Sequence, residues 1–149
     1  MVKILIASVL LSTSISAHAV ESYEKTCKVW TQKIVQGNKE ACSDLCPQEL
    51  QFDKYSYAKG LKAAFSSQQG LTDFIAYTGR SSIIGAGADT QACNLQTLLV
   101  HWGDAKFSKA TNKFGPKTRD IVIDLLDYSA VSNFKARFPR TYDLAKHAE

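Results

Sequence analysis

Four cysteines, Cys27, Cys42, Cys46 and Cys93, constrain this chain more than any other feature. Any two that bond must bring their Cα atoms within about 7 Å of each other. Whether they bond depends on the compartment, and the N-terminus speaks to that. The chain opens MVKILIASVLLSTSISAHAVES: Lys3, then an apolar run from Ile4 to Ile15, then Ala17-His18-Ala19. Charged start, apolar middle and small-x-small ending are the three parts of a secretory leader. The run is short for crossing ~30 Å of hydrocarbon. The expectation is a leader over 1–19 and a single domain over 20–149, exported as a secreted protein or into a bacterial periplasm, with no membrane span once the leader is gone.

Outside the reducing cytosol an even cysteine count reads as a disulfide framework. A zinc site would need four ligands, usually in paired close spacings, and Cys27 and Cys93 each stand alone. The chain carries neither the Cys-x-x-Cys-His of covalent haem nor the Cys-x-x-Cys of thiol exchange. Two structural disulfides are therefore expected, with no metal and no cofactor. Gly37-Asn38 reads as a turn between helices, and in an antiparallel hairpin Cys27 lies nearly opposite residue 48. That favours Cys27–Cys46 and leaves Cys42–Cys93. A Cys42–Cys46 bond would be strained on one helix, where both side chains point the same way. A loop between them lifts the objection.

Apolar spacing sets the fold class. Tyr23, Cys27, Trp30 and Ile34 fall on one face of a helix over 22–36. Asn38 can cap a short successor that Pro47 stops. Asp53 is the expected cap of a helix with Tyr57, Leu61, Ala64 and Phe65 as its stripe, closed by Gly70, and Thr72 the cap of the next. Asp89 or Thr90 then starts a helix through Cys93, Leu95, Leu98, Leu99 and Trp102. Gly103 stops it and Asp104 caps another, containing Phe107 and Ala110. Pro116 suits a first helical position before Ile121, Val122, Leu125 and Leu126, Ser132 can cap a short turn, and Pro139 starts a terminal helix through Tyr142 and Leu144. The fold class is all-α: an irregular bundle of seven to eight short helices stapled by two disulfides.

Between helices, TGRSSIIGAGAD (78–89) is the one long breaker-rich stretch. Its glycines lack the Gly-Lys-Ser/Thr of a phosphate loop. It reads as a loop whose Ile83 and Ile84 either tuck onto the core or meet a partner. A second binding candidate is the density of Arg137, Arg140, Phe134, Phe138 and Tyr142, since arginine and aromatics dominate interface hot spots. The competing expectation is that these rings dock the C-terminal segment.

Catalytic chemistry has little to stand on. Of three histidines His18 belongs to the leader, leaving His101 and the terminal His147. His101 with Asp104, three residues on, is the one acid–base candidate, and no Gly-x-Ser-x-Gly elbow accompanies it. His101 also suits a helix C-terminus and Trp102 the core. Asp120, Asp124 and Asp127 share a helix side opposite the apolar stripe and should face water. Formal charge is +4, and after the leader the excess lies in 104–149, with nine basic and six acidic residues. Export makes nucleic acid an unsuitable partner for that bias. Three functions follow: binding another exported or envelope protein, as an inhibitor or immunity protein does, through Ile83, Ile84, Arg137, Arg140 and Tyr142; a small envelope hydrolase using His101 and Asp104; or recognition of anionic glycan or lipid by the basic C-terminal third. The first is favoured.

Overall fold

A computed structural model describes residues 14–129 and 131–147, with side chains from Tyr23 to Ala145 apart from residue 130. Residues 1–13 of the expected leader and the His147 side chain lie outside the described residues, while residues 14–19, the end of that leader, form the start of α1. All regular structure among the described residues is helical. Eight α-helical segments follow in order: α1 (Ser14–Val35), α2 (Cys46–Gln48), α3 (Tyr57–Ser66), α4 (Gln68–Thr78), α5 (Ala86–Thr111), α6 (Pro116–Tyr128), α7 (Phe134–Arg137) and α8 (Pro139–Tyr142). No helix among these residues is long and apolar enough to cross a membrane. The all-α bundle with two disulfides is as the spacing predicts.

Helix α5 is the axis of the molecule and packs against α1, α3, α4, α6 and α8. Leu95, Leu98, Leu99 and Phe107 from α5 meet Leu61, Phe74, Ile75, Val122 and Leu126, all fully buried. Gly103 breaks the helix with φ +72°, a conformation that costs glycine nothing and other residues strain, so α5 has two arms. The expected stop is there. Asp104 behaves differently from the expectation, capping α8 rather than the arm it opens. Its carboxylate accepts from the Arg140 and Thr141 backbone N–H groups at 3.0 and 2.8 Å and from the Thr141 hydroxyl at 2.8 Å.

The α3–α4 corner also departs from the reading. Ser67, not Gly70, ends α3, and its hydroxyl accepts from the Gly70 N–H at 3.0 Å to cap α4. Gly70 lies inside α4 because the two helices cross so closely that a Cβ there would stand 2.1 Å from the Ala63 carbonyl oxygen. Thr72 donates to the Gln68 carbonyl instead of capping. On α1 the buried line is Cys27, Thr31 and Ile34, while Tyr23 and Trp30 are largely exposed. A polar residue, Thr31, takes the place that periodicity of apolar residues assigned to Trp30.

The disulfide pairing is Cys27–Cys93 and Cys42–Cys46, with Cα atoms 5.0 and 5.3 Å apart, correcting the expected Cys27–Cys46 and Cys42–Cys93. Two physical reasons account for it. Cys27 faces α5 rather than the segment after Gly37, because α1 lies along the central helix. Cys42 ends a 3₁₀ turn (Glu40–Cys42) and Leu45 leaves helical geometry at φ −127°, so the two neighbouring cysteines never share a helix. Asn38 caps that 3₁₀ turn, accepting from the Ala41 N–H at 2.9 Å.

The α1–α5 seam is closed by polar groups as well. Thr31 Oγ1 donates to Asn94 Oδ1 at 2.8 Å, and Asn94 Nδ2 donates to the Tyr57 hydroxyl at 2.9 Å. All three residues are buried. Burial pushes the Tyr57 hydroxyl far above a tyrosine's ordinary value, against the opposing effect of the Asn94 hydrogen bond.

Candidate functional site

After α2 the chain makes a π-helical turn, Glu49–Asp53, that ends in Lys54 at φ +55°. This turn and the 79–85 loop are fastened together by one carboxylate. Asp53 Oδ1 accepts from the Ser82 hydroxyl at 2.8 Å, and Oδ2 accepts from the Ser82 N–H at 3.1 Å and the Tyr77 hydroxyl at 2.9 Å. Behind it the Tyr55 ring stacks on Tyr77, centroids 3.6 Å apart, and the Arg80 guanidinium lies 5.5 Å from the Tyr77 ring centre. Asp53 was expected to cap α3. It is drawn away because the π turn places it across from Ser82, and α3 begins after Ser56 without a side-chain cap.

Glu49, one turn earlier, is buried, and its Oε2 has no hydrogen-bond partner. Burial pushes this carboxyl up to about 7, with the negative charge of Asp53 and a hydrogen bond to it adding. For Asp53 burial acts upward too, but the Ser82 side-chain and backbone hydrogen bonds outweigh it. With Glu49 and Arg80 contributing, the carboxyl is held below its ordinary value. A neutral and an ionised carboxyl side by side resemble an acid–base pair. Here both Asp53 oxygens are occupied and Glu49 is enclosed by protein, so the arrangement fastens rather than reacts.

What the fastened segments display is apolar. Leu50 and Phe52 on the turn are 61% and 67% exposed, and Ile84 on the loop is 78% exposed. Ile83 beside it is half-buried and packs against the core, so the pair splits between the two roles weighed for it. On its far side the loop borders a shallow hollow of about 840 Å³ that reaches Ile121, Leu125 and the exposed Tyr128 on α6. A hydrogen bond to Asp89 and the charge of that residue raise the Tyr128 hydroxyl above its ordinary value. The sequence reading missed Leu50 and Tyr128, and the spacing makes Phe52 a staple packed against the start of α3, where it is exposed instead. The signal lay in CPQELQFD, where two carboxylates four apart flank exposed apolar residues beside a proline.

The other candidates are placed as follows. Arg137 pairs with Glu24 of α1 at 2.6 Å, donates to the Ser132 carbonyl and lies over the Phe138 ring. The Tyr142 ring packs edge-on to Phe134 at 5.4 Å, and Phe134 and Phe138 are buried. Arg140 is exposed, with its backbone N–H held by Asp104. His101 is exposed, its ring edge-on to Phe65 and Trp102 at 5.1 and 5.3 Å. Trp102 Nε1 donates to the Ala64 carbonyl at 2.8 Å. Among the described residues no cluster of His, Cys, Asp and Glu could hold a metal ion. No protein-family model, curated protein or solved structure matches the chain.

Proposed function

We propose that this chain is an exported binding protein that docks another exported or envelope protein through the face formed by the Glu49–Asp53 turn and the 79–85 loop. The observation that carries the reading is three large apolar side chains, Leu50, Phe52 and Ile84, left in water on segments that Asp53 holds in place. Exposed apolar groups cost a protein solubility and mark interaction sites when they gather. Pre-ordering the loops removes conformational entropy that association would otherwise have to supply. Both described disulfides suit an oxidising compartment, which supports a place outside the cytosol, and in this reading the leader ends at Ala19 and the role is of the inhibitor or immunity type.

The hydrolase reading gains nothing from the geometry, because the Asp104 carboxylate is occupied by three donors from α8 and its neighbourhood. The anionic-surface reading has one observation in its favour. Lys106 and Lys109 are exposed on the second arm of α5, and Lys113 is exposed in the turn that follows it. Their binding to anionic vesicles would fall as salt is raised.

The docking reading is tested by affinity capture from the exported proteins of the source organism. Wild type should retain a discrete partner that Phe52→Asp/Ile84→Asp loses while keeping its circular dichroism spectrum. Equal retention by both proteins would remove this face from the function.

A further inference from the structure

Glu49 closes the docking turn twice over. Its backbone carbonyl accepts from the Lys54 N–H and, at 3.0 Å, from the Tyr55 N–H, which winds the chain into the π turn. Its side chain is buried, the residue being 1% exposed, and Oε2 has no hydrogen-bond partner. The resulting turn is not one that a chain adopts unaided. Single π turns are rare, and Lys54 holds a left-handed conformation at φ +55° that a side chain resists. Such a turn persists while something inside it holds it shut. Here that is a carboxyl group in a place unsuited to a charge.

The groups around Glu49 give an anion no compensation. On the same turn stands Asp53, ionised and engaged with Ser82 and Tyr77. Tyr55 beyond the turn and Tyr57 at the start of α3 also face the carboxyl. Burial lifts the Tyr55 hydroxyl to about 12 and that of Tyr57 upward too, so neither changes charge near neutrality. Tyr77 of α4 donates to Asp53. Arg80, the cation of the loop, acts on Asp53 and Tyr55. Asp53 is held below its ordinary value and titrates in stronger acid. Between pH 5 and 8 the group of this cluster that changes charge is thus Glu49, whose carboxyl burial pushes up to about 7. Protonated, it can hydrogen-bond Asp53 and adds to the clasp; ionised, it repels it.

We infer that the docking face is gated by the proton on Glu49. With the proton in place, the carboxyl stays inside and the turn stays clasped to the loop. When the proton passes to water, the carboxylate leaves the interior, the π turn unwinds and Asp53 is drawn off Ser82. Leu50, Phe52 and Ile84 are then no longer held as one surface. The gate has a fixed sign. In the opened turn Glu49 meets water and titrates at its ordinary 4.5, against about 7 when enclosed. Opening therefore releases one proton between those values, so the opened fraction grows by up to about tenfold per pH unit and levels above them. The surface is firm in mild acid and loose at neutrality. Its consequence for partner binding rests on the docking reading; the movement itself does not.

Hydrogen exchange at two amides reads the gate in the intact, disulfide-bonded protein without any partner: Tyr55, which donates to the Glu49 carbonyl, and Ser82, which donates to Asp53. After correction for intrinsic rates, their protection should fall by up to about tenfold per unit from pH 5 to 7 and level by pH 8. Low urea should leave it unchanged while core amides of α5 respond, the mark of a local opening. Glu49→Gln keeps the shape without the charge and should flatten the profile. The wild-type profile decides on its own should that variant fold poorly. A flat wild-type profile, a slope that survives in folded Glu49→Gln, or exchange that follows the core in urea would each overturn the gate. Partner capture at pH 5.5 and 7.5 separates this inference from the docking reading. Stronger retention in acid supports both. Sloped exchange with no partner at either pH removes the docking and leaves the gate. A partner held equally at both, despite sloped exchange, keeps the docking and overturns its gating.

Discussion

The two disulfides hold two regions built on opposite principles. Cys27–Cys93 bridges 66 positions of sequence and pins a seam whose polar groups are buried and mutually bonded. Cys42–Cys46 bridges four and closes a turn that leads directly into exposed leucine and phenylalanine. In the first region the covalent link and the hydrogen bonds serve the same end, a fixed pairing of distant helices. In the second, order is local and its product is a surface. Stability and display are thus separated in the chain, which allows the display to vary without loosening the bundle.

The largest break in that comparison comes from the bridges themselves. Loop-closure entropy assigns about 4 kcal/mol to a 66-position loop and about 2 kcal/mol to one of four. Urea denaturation of Cys27→Ala/Cys93→Ala and Cys42→Ala/Cys46→Ala should reproduce that order, and equal losses would contradict the separation. Next comes the hydrogen-bonding of each region. Asn94→Ala strands the buried Tyr57 hydroxyl and leaves Thr31 only its 3.2 Å contact with Thr97, and should cost about 2 kcal/mol. Asp53→Asn should cost about 1 kcal/mol or less, because weaker bonds to Ser82 and Tyr77 are offset by relief of the repulsion on Glu49. Its main effect should be faster hydrogen exchange at the Ser82 amide and weaker partner capture.

A further effect is read as a slope with pH rather than as the cost of one substitution. Glu49 titrates near 7 in the folded protein against an ordinary 4.5, so between those values the folded state holds more protons than the unfolded chain. Stability then declines as pH rises through that window and levels above it. Asp53 acts in the opposite sense, its contribution being lost in acid as pH falls through its lowered value. Thermal melts from pH 4.5 to 8 should show the decline in wild type and lack it in Glu49→Gln; a decline that survives the substitution would assign it to another group.

The seam was far more legible in the sequence than the turn. Helix spacing marked α5 and α6 because their stripes are simple and their ends carry Gly103 and Pro116. Cys27 and Cys93 were visible as bonding residues but their partners were not, since helix direction is a tertiary property that no local pattern encodes. Asp53 and Asp104 show the same limit in the opposite way. Each has the residue type of a cap, and each gives its carboxylate to a segment distant in sequence. Capping preference identifies an oxygen in search of N–H groups; it does not say whose they are. Tyr23 and Trp30 were misplaced because a threonine, with Asn94 to receive its hydroxyl, serves the interior position as well as a hydrophobe.

The bond between α1 and α5 has a mechanical side. Cys27 stands inside α1, eight positions before Val35, and a chain that begins after Ala19 still keeps part of the helix ahead of it. A pull on the N-terminal part of α1 is therefore carried by a covalent link into the central helix, and the stretch from Cys27 to Val35 is shielded from the load. In the reduced protein the same pull would have only non-covalent contacts, Thr31 with Asn94 among them, to hold α1 to its neighbour. The oxidised chain can be tethered by its front end without being unravelled from it.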